Sequence, residues 1–262
     1  MKSVIQGVLT WILCSGFICC FFSARSQANN GLPAAQPDRY GRPVPPFTPT
    51  GDPALDHNKL LQQRTSDGGY KQIGVFKVAG SSFLFGQMNK GNLFSPEAKA
   101  YNIFLSYDTY NQELEFCSAG NPTIPLVKEP GTVDSFLIQE NPENFIVLPL
   151  KFIYGSILGS SEKAYFLEIY KGDKYSVYKK YKSELGYVST NYIQSELRQF
   201  DLKFEYYYKD SVKGSLKKLK TNYNNIIKEF KNIKDITPVF TNEDFTNNQE
   251  GALRKAFEYL NN

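Results

Sequence analysis

From Tyr70 onward, apolar and polar residues alternate with a period of two in "YKQIGVFKVAG", "SSFLFGQ", "GNLFS", "YNIFLSYD", "QELEFCS", "TIPLVKE", "TVDSFLIQE" and "NFIVLPLKFIYG". Alternation sends successive side chains to opposite faces of a sheet, and the Gly, Pro, Asn and Asp clusters between the runs are turn formers. The pattern therefore predicts short strands in succession. Parallel neighbours need long helical crossovers, and none fits between these runs. The predicted fold class is α+β, mainly antiparallel β: a meander sheet curling into a barrel or a sandwich, with two C-terminal helices.

The stretch "AYFLEIYKGDKYSVYKKYKSE" (164–184) interleaves tyrosine with lysine. Gly172-Asp173 suits a two-residue hairpin turn, because glycine accepts a positive φ without steric cost. The predicted strands are Tyr165 to Tyr170 and Tyr175 to Tyr181, with Tyr170 opposite Tyr175 and Leu167 opposite Tyr178. A second hairpin joins "LKFEYYYKD" to "SLKKLK" through Ser211 to Gly214. Beyond it the period lengthens: Ile226, Ile227, Phe230 and Ile233 recur at helical spacing, as do Leu253, Ala256, Phe257 and Leu260. These are the two predicted helices. Thr241 followed by Asp244 resembles a helix N-cap.

The N-terminal end reads differently. "MKSVIQGVLTWILCSGFICCFFSARSQANN" carries an early lysine, a continuous apolar run and the small-x-small site Ser26-Gln27-Ala28, the features of a secretory signal peptide cleaved after Ala28. An uncleaved anchor is the alternative. "GLPAAQPDRYGRPVPPFTPTGDP" follows, too rich in proline for helix or ladder. Asp52-Pro53 is suited to opening a short helix through Leu60 and Leu61. The expected organisation is a signal peptide at 1–28, a proline-rich disordered spacer at 29–69, an antiparallel β domain at 70–220, and a helical segment at 221–262 packed on the sheet. Export places the protein in the periplasm, on the outer-membrane surface or outside the cell.

Composition changes this picture little. A chain of 262 residues with 41% hydrophobic residues is long and apolar enough to bury a core. The net charge of +4 is too small for a dedicated nucleic-acid binder, and export argues against that role as well. Three of the four cysteines leave with the signal, so Cys117 has no internal disulfide partner and reads as a small core hydrophobe.

The chemistry-bearing residue types are sparse. His57, the single histidine, stands beside the spacer, and zinc would lack ligands. No phosphate-cradling glycine loop or GxSxG elbow occurs, and no cofactor is expected. Ser-x-x-Lys recurs at Ser160/Lys163, Ser176/Lys179 and Ser215/Lys218, two of them on predicted strands, which is how a chance match in a lysine-rich chain looks. Carboxylate pairs such as Glu113 with Glu115, or Asp108 with Asp134, have the composition of a glycosidase pair. Glu113 and Glu115, however, alternate with Leu114 and Phe116 as on a solvated sheet face.

Between Lys163 and Lys234, basic residues outnumber acidic ones two to one. If the two tyrosine-rich hairpins are neighbours, Tyr178, Lys179, Lys180, Tyr181, Lys203, Lys217 and Lys218 would form a face for an anionic envelope glycan or a lipid headgroup. The competing reading has the tyrosines filling the core and the lysines lining an ordinary edge.

"GSSFLFGQMNKGNLF", "YNIFLSYDTYNQELEF", "YFLEIYKGDKYSVYKKYK" and "EYYYKD...LKKLK" before a final helical pair resemble a family of secreted, functionally uncharacterised proteins of the Bacteroidota. The resemblance covers about Gly80 to Asn262. The chain departs from the family where Gln87 or Met88 replaces a tryptophan and where Asn222, Asn224 and Asn225 replace helical lysines. The resemblance implies export and a similar fold, with no catalytic residue to transfer. The expected function is a noncatalytic secreted or envelope-associated binding or structural protein; a carboxylate-dependent hydrolase and a barrel-type carrier of an apolar ligand are the alternatives.

Overall fold

A computed structural model describes residues 55–118, 121–128, 131–141, 149–187 and 197–262. The predicted signal segment and the proline-rich stretch up to residue 54 lie outside them. Among the described residues the alternating runs form strands; the first half of "NFIVLPLKFIYG", residues 144–148, lies outside them. The first four are β1 (Leu55–Arg64), β2 (Tyr70–Ala79), β3 (Phe83–Phe94) and β4 (Lys99–Asp108). Next come β5 (Glu113–Ser118), β6 (Asn121–Lys128), β7 (Ser135–Glu140) and β8 (Leu150–Tyr154). The last four are β9 (Tyr165–Tyr170), β10 (Tyr175–Tyr187), β11 (Leu197–Asp210) and β12 (Leu216–Leu219). Leu60 and Leu61 lie on β1 rather than on the expected helix, so the sheet begins inside the segment expected to be spacer. His57 is also on this strand.

The strands share one sheet in the order β1-β2-β11-β10-β9-β8-β7-β3-β4-β5-β6, with β12 added to β11. This corrects the expected barrel or sandwich. β1 and β6 end the hydrogen-bonded path, and no described pairing joins them. Nor is the sheet a simple meander: β3 pairs with β7, and Leu197 to Gln199 of β11 pair in parallel with Lys77 to Ala79 of β2. Short strands joined by tight turns do not require closure, because an apolar sheet face can also be buried by helices, and here helices help to cover it.

Three helices, not two, do this: α1 (Tyr223–Phe230), α2 (Asn242–Asn247) and α3 (Gln249–Asn261). Each starts on a side-chain cap, in which Asn222, Thr241 and Asn248 accept from the backbone N–H of Asn224, Asp244 and Gly251. α1 stops at Phe230, which leaves Ile233 outside the helix and exposed. The main core joins helices to sheet. Phe230 and Phe257 pack edge-on 5.3 Å apart, and Tyr208 of β11 meets Phe230 at 5.1 Å. Deeper in the sheet, Phe136 stacks on Phe152 at 4.6 Å, with Tyr107 set against both and Tyr165 against Phe136 and Tyr107. Cys117 is buried and free, and burial pushes its thiol pKa up.

"SSFLFGQ" and "GNLFS" belong to one strand, β3, whose pairing with β4 shifts between Leu84 and Asn89. Phe85, Gly86 and Met88 all take positive φ there, a costly backbone for Phe and Met. Hydrogen bonds hold it: Met88 N–H donates to Ser106 Oγ, and Asn89 Nδ2 to the Gly86 carbonyl.

The hairpin of β9 and β10 forms over the predicted strands, but its register is corrected. Tyr170 lies opposite Val177, and Leu167 opposite Lys179. The turn is wider than two residues because the α3 residue Asn261 reaches into it. Its Oδ1 accepts from Lys174 N–H at 2.7 Å and Tyr175 N–H at 3.0 Å, and its Nδ2 donates to the Tyr175 carbonyl at 2.8 Å. Gly172 has no positive φ; it is needed because a Cβ there would overlap the Asn261 amide.

Candidate functional site

The two tyrosine-rich hairpins are neighbours, with Lys180 paired to Glu205 and Tyr178 to Tyr207 across β10 and β11. Strand alternation nevertheless divides the seven nominated residues between opposite faces. Tyr178, Lys180, Lys203 and Lys218 share one face, while Lys179, Tyr181 and Lys217 share the other. Tyr178 and Tyr181 are buried, as is Lys179.

Each nominated lysine meets a carboxylate. Lys180 bridges Glu162 and, at 3.1 Å, Glu205; Lys218 also binds Glu205, Lys203 binds Glu184, and Lys217 lies 3.5 Å from Glu229. Burial alone raises the Glu205 pKa, but hydrogen bonds from Lys218, Tyr207 and Lys180 together outweigh it and hold the group down to about 2. Lys179 sits among aromatic rings, 4.2 Å from the Phe204 centroid and 4.7 Å from that of Tyr181, and reaches Glu250 of α3 at 2.6 Å. These contacts tie strand to strand and helix to sheet.

The carboxylates once weighed as a catalytic pair are also engaged. Glu113 is not on a solvated face, since its side chain is only 3% exposed. It pairs with Arg64 Nη1 of β1 and accepts from Tyr70 Oη at 2.7 Å. Burial raises the Glu113 pKa against the lowering effect of both partners. Asp108 accepts from the backbone N–H of Tyr110 at 2.9 Å and of Asn111 at 3.2 Å, and from Asn111 Nδ2 at 3.1 Å, organising the turn after β4. Ser176 and Lys179 lie on opposite faces of β10, so that Ser-x-x-Lys match does not converge.

A different arrangement stands at one end of the sheet, where three loops surround a cavity of about 520 Å³. The β1–β2 turn contributes Arg64, Ser66 and Asp67, and the loop before β9 contributes Ser161 and Lys163. Asn111 and Gln112 of the β4–β5 turn complete the wall. Gln112 takes a φ of 58°, which a non-glycine residue keeps only when its surroundings fix it. They do: its Oε1 accepts from Tyr107 Oη at 2.7 Å, and its Nε2 donates to the carbonyls of Thr109 at 2.6 Å and Tyr181 at 3.0 Å. Asn111 is locked too, its Oδ1 accepting from Arg64 N–H at 2.9 Å.

The wall is thus rigid, while its charged groups keep capacity. Among the described residues no acceptor engages Arg64 Nη2 or Nε, and no carboxylate pairs with Lys163. Sequence reading missed this site because Arg64 to Gly68 fall in the segment expected to be spacer. The signal that was present is "TSDGG", a turn sequence directly after Arg64.

Among the described residues, no group of three or more His, Cys, Asp or Glu side chains is placed to hold a metal ion, and no helix is long and apolar enough to cross a membrane. Comparison with protein-family models, curated proteins and solved structures finds no match.

Proposed function

We propose that the chain is an exported, noncatalytic binding protein of the cell envelope that takes a small polar ligand in the three-loop cavity. The observation carrying this reading is the prepared Arg64. Buried Glu113, itself accepting from Tyr70 Oη, holds Nη1 of its guanidinium, and the remaining N–H groups belong to a residue that lines the cavity. Preorganised donors in a concave site lower the entropy cost of binding. The export half of the proposal rests on the early lysine, apolar run and Ser26-Gln27-Ala28 site. Membership of the secreted Bacteroidota family is proposed with it, on the quoted strand motifs.

A hydrolase would need a carboxylate free to exchange a proton with substrate. Asp108 and Glu113 instead serve the turn and Arg64. The test is a ligand panel followed by NMR amide shifts, run beside a glycan-hydrolysis panel. Shifts confined to the three loops without turnover support binding; turnover lost in Asp108→Asn or Glu113→Gln would replace it with the hydrolase.

A second reading, a carrier of an apolar ligand, is favoured by a groove of about 320 Å³ lined by Leu93, Ala100, Phe116, Leu126, Val127 and Val133. Its test is organic extraction of the purified protein. A stoichiometric acyl compound in the extract supports this reading, and a clean extract from protein that also fails to take up added fatty acid refutes it.

A further inference from the structure

We propose that the three-loop cavity recognises a sugar acid, an oxyanion carried on a polyhydroxylated ring, with Arg64 and Lys163 gripping the acid and Asp67, Ser66 and Ser161 reading the hydroxyls. The inference rests on the cavity being the ligand site, as proposed above, and adds the class of ligand.

The donor and acceptor inventory leads to this class. Both amides of the wall have their carbonyl oxygen and amino group committed to the fold, Asn111 to Arg64 and Asp108 and Gln112 to Tyr107, Thr109 and Tyr181. What remains are cationic donors from two loops: the outer edge of the Arg64 guanidinium and the ammonium of Lys163. Arginine held on one edge by a carboxylate presents its other N–H groups in a fixed plane, the geometry that suits a two-oxygen acid. Glu113 and Tyr70 are therefore positioning residues. Gly68 takes a φ of 89°, which favours glycine, and a Cβ there would meet Nη2 in ordinary contact at 3.5 Å, so the turn lies beside the guanidinium.

A bare inorganic anion would use only half of this wall. Asp67 stands in it as well, and a carboxylate repels an oxyanion at close range. The Asp67 Oδ1 atom is turned into its own loop by Thr65 Oγ1 and by Gly69 N–H at 3.4 Å. The hydrogen bond from Thr65 keeps the Asp67 carboxyl pKa below its ordinary value, so it stands charged as an acceptor. Its Oδ2 suits a ligand hydroxyl, as do the Ser66 and Ser161 hydroxyls, which have no hydrogen-bond partner among the described residues. Donors for an acid beside acceptors for alcohols describe one molecule bearing both. Carboxylate, phosphate and sulfate share the acid chemistry, so the test separates them.

The experiment titrates the mature chain with glucuronate, glucose 6-phosphate, glucose 6-sulfate, glucose and inorganic phosphate, with calorimetry for affinity and amide NMR for location. Shifts at Arg64 to Gly68 and Ser161 to Lys163 are expected with the acidic sugars. Glucose and free phosphate should each bind at least tenfold more weakly than the best of them. Lys163→Gln, an exposed position with no ion partner among the described residues, should fold normally and weaken the acidic sugar about fivefold or more while leaving glucose unchanged. Glu113→Gln keeps the side chain's shape but loosens its hold on Arg64, and should weaken the acid without moving the hydroxyl selectivity.

Glucose binding as tightly as glucuronate, with shifts in the same loops, would overturn the acid inference and leave the binding reading standing. Free phosphate equalling the sugar acids would overturn the hydroxyl half. An acidic sugar whose affinity is untouched by Lys163→Gln would remove Lys163 from the site. Silence of these loops toward every ligand in the panel would overturn both the inference and the reading beneath it.

Discussion

Replacing Asn261 by alanine removes the link between the last helix and the β9–β10 turn. Its side chain makes three hydrogen bonds to that turn, at 2.7, 3.0 and 2.8 Å, and a fourth to the Phe257 carbonyl at 2.6 Å within α3. A net hydrogen bond is worth about 1 kcal/mol, less where water can replace the lost partner. Lys174 is exposed and regains water; the half-buried Tyr175 N–H and carbonyl do so poorly. The ordered amide also cost some side-chain entropy, which the mutant recovers, on the order of 1 kcal/mol. The balance is a loss of about 2 kcal/mol, or a fall in Tm of about 4–8 °C for a domain of this size. Asn261→Asp should do no better, because it keeps the acceptor but sets a carboxylate against two carbonyl oxygens and the negative end of the helix dipole. Thermal unfolding and hydrogen exchange at the Tyr175 amide measure the effect. An alanine variant melting within about 1 °C of the parent, with Tyr175 equally protected, would refute the argument that Asn261 sets this turn.

Glu205, held down to about 2 against an ordinary 4.5, contributes stability that is present above pH 4.5 and fades as the pH falls toward 2. With its side chain a third exposed, screening reduces the contribution to about 1–2 kcal/mol, so Glu205→Gln should flatten the acid limb of a urea-midpoint series by that amount. Gly91→Ala would place a Cβ 2.8 Å from Leu105 Cδ2 and against the Leu137 carbonyl, and should cost about 3 kcal/mol in chemical denaturation. Lys179→Met keeps the packing among Tyr181, Phe204 and Tyr206 and releases the partly exposed Glu250 to water; its unfolding free energy should stay within about 1 kcal/mol of the parent. A loss above about 3 kcal/mol would show that the ion pair, rather than the stem, holds α3.

Period and turn chemistry are local properties, and the chain carries them openly. They determined the described strands from Tyr70 onward, both tyrosine-rich hairpins, the cap at Thr241 as a polar helix start, and the burial of Cys117. What they leave open is anything set by residues far apart in sequence. Whether an apolar sheet face is buried by closure or by helices depends on which elements pack against it, so an open sheet covered by helices and a barrel present the same alternation. The register of β9 on β10 was decided by Asn261, more than eighty residues from Tyr175, whose amide widened a turn that Gly172-Asp173 alone would have closed tightly. The lysines of β10 and β11 look alike in sequence, yet strand alternation and distant partners such as Glu162 and Glu250 divide them into two sets of ion pairs. The three-loop cavity was the least legible feature. Its cations, Arg64 and Lys163, stand about a hundred positions apart, and only the folded sheet brings their turns to one end. Only there does Glu113 supply the buried counter-charge that orients Arg64.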